Sequence, residues 1–178
     1  MFLFAKRYRL FYYDFMDKKM YAPWREEYIL GPKEKGCLFC RIFREKTDKQ
    51  NFVLYRGNRV FIVMNRYPYV SGHLMVVPNR HIAHIEKLPR STSEELMYET
   101  QRAVKILKQT LRPHSLNIGI NLGHQSGAGV PGHLHQHIVP RWHGDTNFLS
   151  VIGNTRVVSV SLKTVYGQLV KPFQEFEL

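Results

Sequence analysis

The sequence predicts an α+β domain in which a mostly antiparallel sheet packs against one long helix and a C-terminal helix. Three observations lead there. Short apolar runs at Phe52–Arg56, Val60–Asn65, His73–Pro78 and Leu116–Leu122 are bounded by Gly, Pro and Asn, as strands are. The stretch from Ser91 to Leu111 carries Leu96, Ala103, Val104, Ile106, Leu107 and Leu111 at helical spacing. The end of the chain, Leu162–Phe176, has a second helical pattern, with Pro172 expected to disturb it. Segregated helices on an antiparallel sheet define the α+β class.

Element by element, Tyr21-Ala22-Pro23-Trp24-Arg25 reads as a packed opening segment. Pro23 is expected to start a short helix running to Leu30, which Gly31-Pro32 ends. Another short helix is expected over Cys37–Glu45. The first two strands join through a turn at Gly57-Asn58, and Tyr67-Pro68-Tyr69 is a loop before the buried strand His73–Pro78. Ser91 followed by Glu94 reads as a capping box opening the long helix, and Arg112-Pro113 closes it. After the strand Leu116–Leu122 comes the glycine-rich Gly127-Ala128-Gly129-Val130-Pro131-Gly132, then a strand ending at Pro140. Val157–Val160 is expected to be a short strand. Residues 1–20 read as an arm or extension and 21–178 as a single domain.

Bulk composition narrows the classes. A chain of 178 residues, 44% hydrophobic and 13% aromatic, is globular rather than disordered. No apolar run reaches membrane-spanning length, and Lys6, Arg7 and Arg9 interrupt the apolar start, so a cytoplasmic protein is expected. Twenty-six Lys and Arg against 14 Asp and Glu give a net charge of +12, which favours anionic partners without choosing among nucleotides, polyphosphates and nucleic acid.

Chemistry concentrates in His133-Leu134-His135-Gln136-His137-Ile138-Val139-Pro140. Alternate residues of a strand share a face, so three imidazoles are expected to point one way. Neutral imidazole is a nucleophile near pH 7. Attack by His135 on an α-phosphorus would give a covalent nucleotidyl-histidine, splitting one displacement into two. Backbone N–H groups of the preceding loop, at Gly127 and Gly129, could hold the phosphoryl oxygens. Gln136 should point to the opposite face and act in packing. The remaining histidines, His84, His114, His124 and His143, are expected in loops, with His124 a minor candidate for phosphate contact.

These residues resemble the histidine-triad (HIT) family, whose hallmark is His-φ-His-φ-His-φ-φ with φ apolar. The likeness runs from Trp24 to Phe148, through Phe61–Asn65, Ser71–Pro78 with His81, and Asn117–Asn121. It implies a HIT-like fold with His135 as nucleophile and His133 and His137 orienting it. It also implies a ribose contact at Asn65, a polar position near phosphate at Asn121, and a buried hydrogen-bonding histidine at His73. A Gln and a Ser or Thr that many members use in the loop before the triad have Gly129-Val130 in their place. The segment Pro140–Phe148, with Ala22–Arg25, is similar to prokaryotic diadenosine tetraphosphate phosphorylase-like members, in which inorganic phosphate is co-substrate. There Trp142 would stack a base or, equally, anchor the core or an interface. Arg141 would meet a distal phosphate or be solvated.

Cys37-Leu38-Phe39-Cys40 admits three readings: a redox pair, half of a metal site, or two buried thiols. The resemblance implies zinc on Cys37, Cys40, His81 and His133, a closed structural site. The implied activity is phosphorolysis of diadenosine tetraphosphate to ATP and ADP. A hydrolase of dinucleoside polyphosphates or nucleoside phosphoramidates is the close alternative, and a non-catalytic nucleotide- or nucleic-acid-binding module is the rival of another class. A homodimer through the long helix is implied. Nucleic acid is not the expected partner.

Overall fold

The computed structural model describes residues 36–145, 158 and 160–176. The arm, the opening segment with its helix, and residues 146–157 lie outside them. Helix α1, Leu38–Glu45, and the single turn α2, Asp48–Asn51, lead into strand β1, Val53–Arg56. Strands β2, Val60–Met64, and β3, Leu74–Pro78, follow. A 3-10 turn, Ile85–Lys87, precedes the long helix α3, Arg90–Thr110. Strands β4, Ser115–Ile120, and β5, Gln136–Arg141, and helix α4, Leu162–Glu175, complete the order. The five strands lie in the order β1-β2-β3-β5-β4, antiparallel throughout.

Among the described residues, different helices cover the two faces of the sheet. One face carries Ile62, Leu74, Val76 and Ile138, packed under Leu96, Ala103, Ile106 and Leu107 of α3 and Val165, Leu169 and Phe173 of α4. The other carries Phe61, Val63, Met75 and Val77 under Phe39 and Ile42 of α1. Strands β2 and β3 are therefore apolar at every position rather than alternating, because both their faces meet helices. Gly72, at φ +77, keeps the loop before β3 tight against α3, where an added Cβ would sit 2.6 Å from Leu111 Cδ1.

Four local expectations change. Helix α3 begins one residue before Ser91, with Pro89 in the cap position at φ −57 and ψ 141 and no side-chain cap. Proline presets that extended entry, leaving Ser91 in the first turn, while Glu94 pairs with Arg90. The histidine strand starts late. Only His137 lies in β5, and His133 and His135 form an extended approach held by Leu134 N–H to Ile82 O at 2.6 Å. Helix α4 runs through Pro172 without a break. Val158 and Val160 are exposed and in no strand, and the rest of that expected strand lies outside the described residues.

The end of α4 is satisfied from α3. Arg102 donates from Nε to Phe176 O at 2.7 Å and from Nη2 to Phe173 O, capping carbonyls that a helix terminus leaves orphaned. It pairs with Glu99 at 3.1 Å, the two side chains 6% and 4% exposed, and its guanidinium lies 4.1 Å from the Tyr55 ring centroid.

Candidate functional site: a histidine run between a cysteine cluster and a buried histidine

The approach to β5 sets the three histidines on the α1 side of the sheet. Met75 pairs with His137 on one side and Gly119 on the other. Gly119 has no side chain, so nothing from β4 crowds His137. Asn121 follows Ile120, the last paired residue of β4, whose partner Gln136 follows His135. Gln136 takes the opposite face, as expected, and its Nε2 donates to Thr100 Oγ1 on α3 at 2.8 Å.

His135 is 3% exposed. Its Nδ1 lies 2.8 Å from the carbonyl oxygen of His133. A carbonyl only accepts, so Nδ1 carries the proton and Nε2 holds the lone pair. Burial pushes His135 below the ordinary histidine range, although that hydrogen bond opposes the shift. A neutral imidazole with a free Nε2 results.

His137 belongs to a buried chain of partners. Tyr69 N–H donates to His73 Nδ1 at 3.2 Å, and Asn65 Nδ2 lies 3.3 Å from the same atom. With Nδ1 accepting, His73 carries its proton on Nε2, which meets His137 Nδ1 at 2.9 Å. His137 therefore accepts at Nδ1 and keeps its proton on Nε2. Burial pushes His73 down to about 3, with His137 and His135 adding to it. Burial, then His135, pushes His137 to about 4. Both are neutral near pH 7. Asn65 Oδ1 in turn accepts from Tyr67 N–H at 2.9 Å. Both ends of the Asn65 amide thus serve this chain of partners.

His133 turns the other way. Its Nε2 lies 2.9 Å from Pro78 O, so it donates there and exposes the Nδ1 lone pair. That nitrogen sits 3.2 Å from Cys37 Sγ and 3.7 Å from Cys40 Sγ, and His81 Nδ1 is 3.4 Å from Cys40 Sγ. The four ligand atoms lie within 4.8 Å of one another. Bond lengths of about 2.3 Å to sulfur and 2.0–2.1 Å to nitrogen in a tetrahedron require S···N separations of about 3.6 Å, which these distances bracket. Burial and the adjacent Cys37 raise the Cys40 thiol, and a divalent cation would reverse that effect. The four residues can hold a metal ion.

Two features escaped the sequence reading. Phe39, between the two cysteines, packs against His133 and His135 with ring centroids at 5.4 and 5.0 Å. Tyr69 lies over His73 at 4.6 Å and His137 at 6.1 Å. Only its nearness to His73 in the chain hinted at this.

Other expected site residues sit farther out. Gly127, at φ +84, donates its N–H to His124 O at 3.0 Å, so that group is committed to a turn. Gly129 is exposed in the same loop. Trp142 is half-buried just past the far end of β5, with the whole of that six-residue strand between it and His135. Arg141 is engaged by Asp145 through two nitrogens, at 2.5 and 2.9 Å, and by Asn117 at 3.0 Å. It is neither solvated alone nor turned toward the histidines. No described helix is long and apolar enough to cross a membrane.

Comparison with known proteins agrees with this arrangement. The chain is 45% identical over 117 residues to an AP-4-A phosphorylase of Mycobacterium tuberculosis strain H37Rv, covering 66% of this chain and 60% of that protein. It is 30% identical over 105 residues to a bis(5'-nucleosyl)-tetraphosphatase (asymmetrical) of Schizosaccharomyces pombe, covering 59% and 57%. The match thus spans less than two thirds of either relative. A Zn-bound histidine triad family protein from Mycobacterium smegmatis superposes with a TM-score of 0.65 at 23% identity, covering 79% of this chain and 94% of that one. The HIT domain family matches residues 46–144, from the turn before β1 to the loop after β5. A five-stranded sheet ending in a run of alternating histidines, with that match over more than half its length, makes this chain a member of the HIT domain family.

Proposed function

We propose that this protein transfers a nucleotidyl group from a dinucleoside polyphosphate through a covalent intermediate on His135, with inorganic phosphate as acceptor. On diadenosine tetraphosphate, the Nε2 lone pair of His135 attacks the α-phosphorus, an N–P bond forms, and the bond to the bridging oxygen breaks, releasing ATP. A phosphate oxygen then attacks the same phosphorus, the N–P bond breaks, and ADP leaves. The observation that carries this reading is the 2.8 Å hydrogen bond from His135 Nδ1 to His133 O, which leaves Nε2 unprotonated beside His137. The name of the Mycobacterium tuberculosis relative supports the phosphate acceptor.

In this reading His137 donates from Nε2 to a phosphoryl or bridging oxygen, and Asn121, next in the chain after β4, reaches the phosphates. His73 and Asn65 orient His137. Gly129 and neighbouring amides support the phosphoryl group, while Gly127 shapes the turn. Trp142 acts away from the reacting phosphorus. His133 belongs with Cys37, Cys40 and His81 as a zinc ligand rather than with the reacting groups, because both its nitrogens are engaged. Cys37, Cys40, His81 and His133 would fill the four positions of a zinc ion, which would then clamp α1 to the histidine run rather than activate water. The free thiols suit a reducing compartment such as the cytoplasm. Met97 and Tyr98 on α3 and Ile118 on the edge strand β4 are exposed apolar groups, which suits a homodimer through that side.

The test is product analysis with diadenosine tetraphosphate, with and without labelled phosphate. ATP and labelled ADP appearing only with phosphate is the expected result. ATP and AMP forming without phosphate would replace phosphate by water as acceptor, the reaction implied for the Schizosaccharomyces pombe relative by its name.

A further inference from the structure

We propose that Tyr69 is a positioning residue whose ring roofs the His73–His137 pair, keeps water from the hydrogen bond that joins them, and so holds His137 in the orientation that presents its Nε2–H. The inference rests on the function proposed above for that pair. Three observations carry it. The Tyr69 ring lies 4.6 Å from the His73 ring and 6.1 Å from the His137 ring, nearly parallel to the latter at 29°. The two histidines beneath are joined at 2.9 Å. Tyr69 is nevertheless 44% exposed, so the pair is covered on this side by a ring that itself borders solvent.

Neutrality of the pair has a structural consequence. Once protonated, His73 turns an Nδ1–H toward the Tyr69 N–H and Asn65 Nδ2 donors, so the ring loses the contacts that aim its Nε2–H at His137 Nδ1. A His137 left free to turn no longer presents its Nε2–H to a phosphate oxygen. Among the described residues, no anion bonds to either histidine or shifts its titration. His135 lies on the run into β5, Tyr67 and Tyr69 on the loop before β3, Arg66 exposed on that loop, and Met75 beside His137 on β3. Burial is the largest cause holding both histidines low, and the Tyr69 ring forms part of that cover.

The variants Tyr69→Ala and Tyr69→Phe separate ring from hydroxyl, since both keep the backbone N–H that binds His73. Being partly exposed, the position tolerates truncation without loss of the fold. Tyr69→Ala should lower kcat about 10-fold with KM little changed, a fraction of the loss seen when one preorganised donor is removed. Tyr69→Phe should restore wild-type values. Imidazole nitrogen NMR, with no substrate present, should show His73 and His137 titrating at least about one pH unit higher in Tyr69→Ala than in wild type. Unchanged titration in Tyr69→Ala would overturn the proposal. So would a rise in KM alone, which would make the ring a substrate contact. The NMR measurement stands even if wild-type protein turns over no dinucleoside polyphosphate, so failure of the proposed function is distinguishable from failure of this inference.

Discussion

His133 and His137 flank His135 symmetrically in sequence, yet the fold uses them in opposite ways. Each has one nitrogen committed to a buried partner that dictates what the other nitrogen does. For His133 the partner is the Pro78 carbonyl, which takes its proton and turns a lone pair toward two sulfurs. For His137 the partner is the His73 Nε2–H, which fills a lone pair and leaves a proton to offer. A carbonyl on one side and an imidazole on the other convert identical side chains into an acceptor for a cation and a donor for an anion. Between them, His135 is oriented by the backbone of the first.

That contrast can be broken at several points. His135→Asn should reduce turnover of diadenosine tetraphosphate by about 10,000-fold or more while nucleotide binding persists, since the amide cannot form the N–P bond. Steady-state kinetics beside equilibrium binding checks it, and substantial residual activity would remove the covalent step. At the His133 end, Cys40→Ser or metal chelation should act on stability. A loss of about 3 kcal/mol would lower the midpoint of thermal unfolding by roughly 10 °C, and scanning calorimetry with added zinc should reverse it for the chelated protein only. At the other end, His137→Asn should cost about 100-fold in kcat, typical of one preorganised donor, with little change in melting temperature. Exchanged outcomes, a stability loss at His137 and a purely kinetic loss at Cys40, would reverse the division of labour. The smallest effect belongs to Gln136→Met. It lies between His135 and His137 in sequence but faces α3, so losing its bond to Thr100 should cost about 1 kcal/mol of stability and leave kcat alone.

Much of the fold was legible because local pattern and tertiary environment agree. The apolar runs at Val60–Met64 and Leu74–Pro78, bounded by turn residues, read as strands, and the stripe through Leu96, Ala103, Ile106 and Leu107 reads as the core face of a helix. Gln136 was placed correctly by strand alternation alone. The capping box failed because Pro89, two residues before Ser91, had already set the helix entry. The late start of β5 was hidden because it depends on β3. Pro78 has no N–H to give a neighbouring strand, and its carbonyl is taken by the His133 side chain. The gathering of Cys37, Cys40, His81 and His133 could be anticipated by resemblance only, since the residues are far apart in the chain. The proton arrangement on His73 and His137 was not legible at all. It depends on Tyr69 N–H and Asn65, a loop whose conformation no periodicity encodes.

The way α1 joins the rest of the molecule has a use in design. It reaches the histidine run through Cys37, Phe39 and Cys40, packs Ile42 on the sheet, and is fastened at its far end by Arg56, which donates to the carbonyls of Ile42 and Phe43 at 3.1 and 2.9 Å. The sheet strands pair with one another without it. A clamp of this kind is therefore portable: a related scaffold that already presents His133 and His81 equivalents could receive it as one short graft plus a single arginine on its first strand.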